Sequence, residues 1–235
     1  MRFLCLFLLL PFLPACGAPK KEISSPIGSS VNLSTGPVVV IDAGHGGQNL
    51  GARANKPYCE EKRVALQTAR LAKKYLSQLG YHVIMTRNTD EFLPLERRVE
   101  IANKAGAEIF VSLHFNSSRN PIAKGIEVYF YDGKSSHTRT AASRRMASFV
   151  LTQLIRRTHA VSRGVKSANF HVIRETKMPA ILVEGGFISN PQERAKLKDP
   201  DYIDQLARAV ADGVDQYFKK VCTGSGSILP QRKPI

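Results

Sequence analysis

The chain has 235 residues, enough for one sizeable domain and short for two. With 43% hydrophobic and 23% charged residues, a packed core is possible. Lys and Arg outnumber Asp and Glu by 34 to 19, and the formal charge of +15 favours an anionic partner: nucleic acid, a membrane surface or an acidic polymer. The basic residues are scattered, with no zinc-finger spacing, aromatic RNA-binding motif or dense Lys/Arg run, which argues against nucleic acid.

Arg2 supplies a positive start, and Phe3 to Phe12 form an apolar stretch too short to span a bilayer. The following Leu13-Pro-Ala-Cys16-Gly17 resembles the lipobox of bacterial lipoproteins, which implies lipidation of Cys16. The alternative is a cleaved signal peptide with an incidental cysteine. Either form is exported, and the lipidated one is held at a membrane facing the periplasm. Residues 1–16 are thus expected to be the signal, residues 17–37 a Ser/Gly/Pro-rich tether, residues 38–221 the domain, and residues 222–235 a disordered basic tail. Cys59 and Cys222 remain; a disulfide between them is left open by the sequence.

Within the domain, Val38 to Ile41 reads as a buried strand running into Asp42 and the glycine-rich loop around His45. Residues 48–59 read as irregular. Apolar residues at helical spacing run from Glu61 to Leu79, stopped by Gly80. A strand over 82–86, a helix over 95–105 and a buried strand over 109–113 follow, the last delivering His114. A strand over 125–131, a helix over 141–157, short strands over 170–173 and 181–183, and a closing helix over 204–218 complete the pattern. Strands alternating with helices predict a single α/β domain with a mostly parallel twisted sheet flanked by helices.

His45, His114 and Glu184 each directly follow an apolar run, and Glu61 opens the first helix. In a sheet whose strands share a direction, strand-end groups emerge on one edge. Two histidines and a carboxylate suffice to hold zinc with one position open. A further carboxylate beside that position can act as general base and then acid. This reasoning leaves open which glutamate binds metal and which moves protons.

Four segments make the pattern specific: Val39 to Gly47, Glu61-Lys62 with Leu66, Phe110 to Asn116, and Met178 to Asn190. In order and spacing they resemble the zinc-dependent N-acetylmuramoyl-L-alanine amidases of type 3, as do Thr86-Arg87, Leu95-x-x-Arg98 and Gly125 to Tyr129 between them. The resemblance implies that His45, Glu61 and His114 hold one Zn²⁺. Glu61 is preferred to Glu60 because the Glu-Lys-x-x-x-Leu spacing starts there. It also implies that Glu184 takes the proton from the attacking water and returns it to the leaving amine. The substrate is then peptidoglycan, cut between N-acetylmuramic acid and L-alanine during wall remodelling and cell division. Asp42 and Asn116 are candidates for supporting the ligands, with a strand-end cap the alternative for Asp42. Arg87 and Arg174 are candidates for meeting peptide carboxylates, with structural or solvated roles the alternative. Asn49 departs from the family's usual Asp. The interval from Tyr129 to Phe170 leaves little room for the helix that covers the zinc in some bacterial members until an activator displaces it, so an uncovered site is expected. A peptidase acting within the stem peptide and a non-catalytic wall-binding lipoprotein are the other readings; the intact set of four argues against the second.

Overall fold

A computed structural model describes residues 36–133 and 136–223, apart from the side chains of residues 222 and 223. The signal with Cys16, nearly all of the tether, the tail beyond residue 223 and the Cys59–Cys222 pairing lie outside that description.

In chain order the elements are β1 (Val38–Ala43), β2 (Arg53–Asn55), β3 (Tyr58–Glu60), α1 (Glu61–Gln78), β4 (His82–Met85), α2 (Leu95–Lys104) and β5 (Ile109–Asn116). There follow β6 (Ile126–Phe130), α3 (His137–Thr158), β7 (Ser162–Ser167), α4 (His171–Glu175), β8 (Ala180–Phe187), α5 (Pro191–Lys196) and α6 (Pro200–Thr223). Six strands form one sheet in the order β4-β1-β5-β8-β6-β7, and β2 and β3 form a separate hairpin. All pairings in the main sheet are parallel except β6 with β8.

Because side chains alternate across a strand, each central strand feeds two cores. Val39, Ile41, Val111, Leu113, Val128 and Val183 join the core against α1, α3 and α6. Val38, Val40, Phe110 and Leu182 join a smaller one, with Val99 of α2 and Val172 and Ile173 of α4. Continuing the alternation puts Asp42, Ser112, His114, Glu184 and Glu127 on the α2/α4 face. Register then aligns three of them: His114 pairs with Glu184 and Glu184 with Glu127, on β5, β8 and β6. This row is what the fold contributes to the site.

Several elements differ from the sequence expectation. Residues 170–173 are not a strand: Phe170 precedes the short helix α4. A four-residue apolar run fits a buried strand or a helical turn equally well, and Thr176 settles it locally by donating its hydroxyl to the Val172 carbonyl at 2.9 Å. The hairpin β2–β3 lies where irregular chain was expected. β7 is a polar edge strand without an apolar alternation to reveal it. α5 follows Asn190, whose side chain accepts from the amides of Gln192 and Glu193, with Pro191 in the first turn. The closing helix begins at Pro200 and passes the expected domain end at residue 221, reaching Thr223.

Candidate metal centre and its cleft

β1 ends in a loop that holds His45 in the left-handed region, at φ 60°. For a residue with a Cβ this conformation is strained, and two buried arginines brace it. Arg98 donates to the His45 carbonyl at 2.7 Å and the Ala43 carbonyl at 2.6 Å. Arg87 donates to the carbonyls of Ala43, Gly44 and Lys62 at 2.9, 2.7 and 2.9 Å. Beneath them Asp42, 1% exposed, accepts from Arg98 at 2.8 Å, Thr86 at 2.6 Å and Ser112 at 2.7 Å. Burial works against its charge, but the Arg98 guanidinium and the two hydroxyls hold Asp42 below the ordinary carboxylate range.

Glu61 opens α1 with its carboxylate directed into this loop. Its Oε1 lies 2.9 Å from His45 Nε2 and 2.8 Å from His114 Nδ1, and accepts the Phe115 amide at 3.1 Å. Its Oε2 accepts the Ala52 amide at 2.8 Å. These donors outweigh burial and leave Glu61 well below its ordinary pKa. The potential ligand atoms of His45, Glu61 and His114 all lie within 4.8 Å of one another. Asn49 Oδ1 accepts the Gly51 amide at 3.2 Å and lies 2.9 Å from His45 Nδ1. The oxygen therefore faces the ring, so Nδ1 carries the proton. Burial works against a charged His45 imidazole, but Glu61 pushes its pKa up. His45 thus sits between two acceptors, and Glu61 Oε1 faces a nitrogen of each ring and the Phe115 amide. That donor set fits a cation shared by His45 Nε2, His114 Nδ1 and Glu61. Two glycines permit the approach. A Cβ on Gly51, at φ +66°, would stand 2.5 Å from Glu61 Oε2, and one on Gly44 would strike the His114 ring.

One strand over from His114, Glu184 has a buried Oε2 with no hydrogen-bond partner among the described residues. Burial first, then the negative charges of Glu61 and Glu127, push its pKa well above the ordinary range. An ionised, unpartnered oxygen there is costly, which makes Glu184 a stronger proton acceptor than an ordinary carboxylate. The other side of the centre is a cleft of about 290 Å³, walled by His45, His114 and Arg98 together with Phe92, Leu95, Phe170 and Leu182. The His45 and His114 side chains are 21% and 19% exposed. α3 packs with α6 on the far side of the sheet, and the helices that line the cleft are α2 and α4.

The structure brings His45, Glu61, His114 and Glu184 to one sheet edge. Glu60 stays outside, bonded to Tyr58 and to Arg63 at 2.8 Å. Asp42 touches neither imidazole; it holds Arg98, which holds the loop. Asn116 donates to Glu127 at 2.7 Å rather than to a histidine or to Glu61. Arg87, 1% exposed and bonded to backbone carbonyls, takes the structural alternative and is buried away from any peptide. Arg174 is tied to Glu175 and Asn169 at the end of α4, outside the cleft wall. Sequence reasoning missed Arg98 and Glu127 as parts of the site. The signal for Glu127 was its outward position in the alternation of β6, opposite Glu184.

Two imidazoles and a carboxylate meet beside Glu184, on a cleft at the carboxyl edge of the sheet, an arrangement suited to metal-assisted hydrolysis. Residues 39–216 match the family model of the N-acetylmuramoyl-L-alanine amidases, Amidase_3, and the chain belongs to that family. It is 36% identical over 221 residues to an uncharacterised Bacillus subtilis protein, YqiI, covering 93% of this chain and 99% of that one. It is 35% identical over 192 residues to the sporulation-specific N-acetylmuramoyl-L-alanine amidase of the same organism, covering 81% and 71%. The catalytic domain of the amidase CwlV from Bacillus (Paenibacillus) polymyxa var. colistinus superposes with a TM-score of 0.72 at 38% identity, covering 78% of this chain and 98% of that domain.

Proposed function

We propose that this peptidoglycan amidase uses one zinc ion held by His45, Glu61 and His114, with Glu184 as its proton carrier. The observation that carries the reading is the meeting of two ring nitrogens on one Glu61 oxygen, at 2.9 and 2.8 Å. Zinc bound there would polarise the scissile carbonyl and lower the pKa of water beside it. Glu184 receives the proton of the attacking water as the carbonyl between the lactyl group and L-alanine is attacked. Its raised pKa makes it able to hold that proton and to release it to the departing alanine nitrogen. The cleft walls exclude water from one side of the reacting amide, and the braced His45 loop keeps the donors in place without rearrangement.

We further propose export with a lipid on Cys16, supported by the apolar leader and its lipobox-like end. No described helix is long and apolar enough to cross a membrane. Attachment would then rest on the acyl chains, which place the domain where wall remodelling and division occur. The partly exposed histidine pair supports a site that works without a separate activator.

The test is mass spectrometry of a defined muramyl-peptide after incubation with the protein. Free peptide beginning at L-alanine, lost with chelator, restored by zinc and absent with Glu184→Ala, is the expected result. Release of only a terminal residue would instead make it a carboxypeptidase. Binding without cleavage would favour a scaffold.

A further inference from the structure

Beside the proposed centre lies a second charged assembly that the mechanism does not use. Glu127, its side chain 3% exposed, accepts four hydrogen bonds. Asn116 Nδ2 and the Tyr129 hydroxyl both reach Oε1 at 2.7 Å. Arg163 Nε and Lys166 Nζ reach Oε2 at 2.8 and 2.5 Å. Both carboxylate oxygens are thereby saturated. Although burial opposes it, Lys166, Tyr129 and Arg163 hold Glu127 below its ordinary pKa. One anion therefore meets two cations.

One cation would satisfy a buried carboxylate; the second leaves a surplus positive charge. The surplus is at the surface: Arg163 and Lys166 are 35% and 40% exposed. It is also fixed in place. The Arg163 guanidinium lies over the Phe187 ring at 4.9 Å, and Lys166 pairs in register with Tyr129. A basic pair held by a buried carboxylate and an aromatic ring has lost much of the side-chain freedom that weakens most surface charges.

Its position relates it to the reaction. β8 carries Glu184, β6 carries Glu127, and β7 carries the two cations. Two strand spacings put the pair roughly 10 Å from Glu184 across the sheet. That is the length of about three extended residues. The apolar cleft lies towards β1 and β5, on the other side of Glu184. A muramic acid whose lactyl group is amide-linked has no free carboxylate, so the substrate's negative charge lies on its peptide half.

We propose that Arg163 and Lys166 form a carboxylate-binding subsite for the peptide half of the substrate. It recognises an acidic group on the second or third residue beyond the scissile amide. The pair thus sets the direction in which the substrate lies across Glu184, with its uncharged half towards the apolar cleft. This rests on the amidase reading.

The test uses the full chain in detergent with zinc and two muramyl-tripeptides, one with its second- and third-residue carboxylates free and one with both amidated. The protein is expected to favour the free acid by about tenfold in kcat/KM, carried by KM, as for a charge-assisted hydrogen bond. Lys166→Met, which leaves Arg163 on Glu127, is expected to bring that ratio close to one. Lys166→Arg is expected to restore it, which a purely structural role would not require. Equal rates on both substrates with the unmodified protein would overturn the subsite and leave the amidase reading standing. So would a Lys166→Met variant that loses the same factor on each substrate. Cleavage of neither substrate would overturn the amidase reading, and the subsite with it.

Discussion

Arg98→Met tests whether the His45 loop is held from below. The side chains of Arg98 and Asp42 are 3% and 1% exposed and meet at 2.8 Å. Removing one partner of a buried pair leaves the other charge uncompensated, a loss of roughly 3–5 kcal/mol. For a domain of this size each kcal/mol lowers the melting temperature by about 2–4 °C, so a fall of roughly 6–20 °C is expected in thermal melts. Asp42→Asn leaves Arg98 as the unpaired charge; in that background Arg98→Met should cost little or even stabilise. The pH dependence has a definite sign. Asp42's pKa is depressed by folding, so its contribution is present above the ordinary value of 3.8 and is lost as pH falls through the lower folded value. The difference between the parent and Arg98→Met should thus be flat from about pH 5 to 8 and shrink in acid. A loss under about 1 kcal/mol, or the same loss in the Asp42→Asn background, would refute the bracket, since either fits a surface pair.

Glu184→Gln should lower kcat by about 10²–10⁴-fold, the usual worth of a positioned acid–base. Because folding raises the Glu184 pKa, its stability contribution is greatest below the ordinary carboxyl value of 4.5 and falls as pH rises through the folded value. The variant should therefore melt no lower than the parent at neutral pH; a lower melt would mean that the charged form is the one the fold favours. Asn49→Ala removes the acceptor that sets the His45 tautomer and should weaken zinc about 10–100-fold in competition with a chelating dye. Unchanged affinity would show that the ring needs no such partner. Gly51→Ala should lower both zinc affinity and the apoprotein's melting temperature, because its Cβ would stand 2.5 Å from Glu61 Oε2 at a φ of +66°. Normal values for both would place the loop's tolerance well above what the backbone suggests.

The parts of the site legible in the sequence are those in which one strand or one loop does the work. Val38 to Ile41 and Ile109 to Leu113 are largely apolar and buried on both faces, as a covered parallel strand must be, so the Asp or His that follows each run marks the sheet's edge. What could not be read was anything created by register. Glu184 owes its raised pKa to burial and to Glu61 and Glu127, which come from other segments of the chain. Arg98 is one charge on a helix of many, and only the packing of α2 against the α2/α4 face turns it from a solvated residue into the brace of the His45 loop. β7 was invisible because an edge strand needs no apolar face. Yet β7 carries the cations that meet Glu127.

The same alternation joins these layers. Residues of β1, β5, β8 and β6 that point away from α1 and α6 must point towards α2 and α4, where the covering helices stop short and the cleft opens. That face can carry buried charge only where each group has a partner. Asp42 has Arg98, Glu61 has the two histidines, and Glu127 has Arg163 and Lys166. Glu184 is the exception, and it stands between the other two carboxylates. A fold that pairs the neighbouring acids but leaves Glu184 Oε2 without a hydrogen-bond partner among the described residues has concentrated its unfavourable electrostatics on one carboxyl group, as the proposed proton carrier requires.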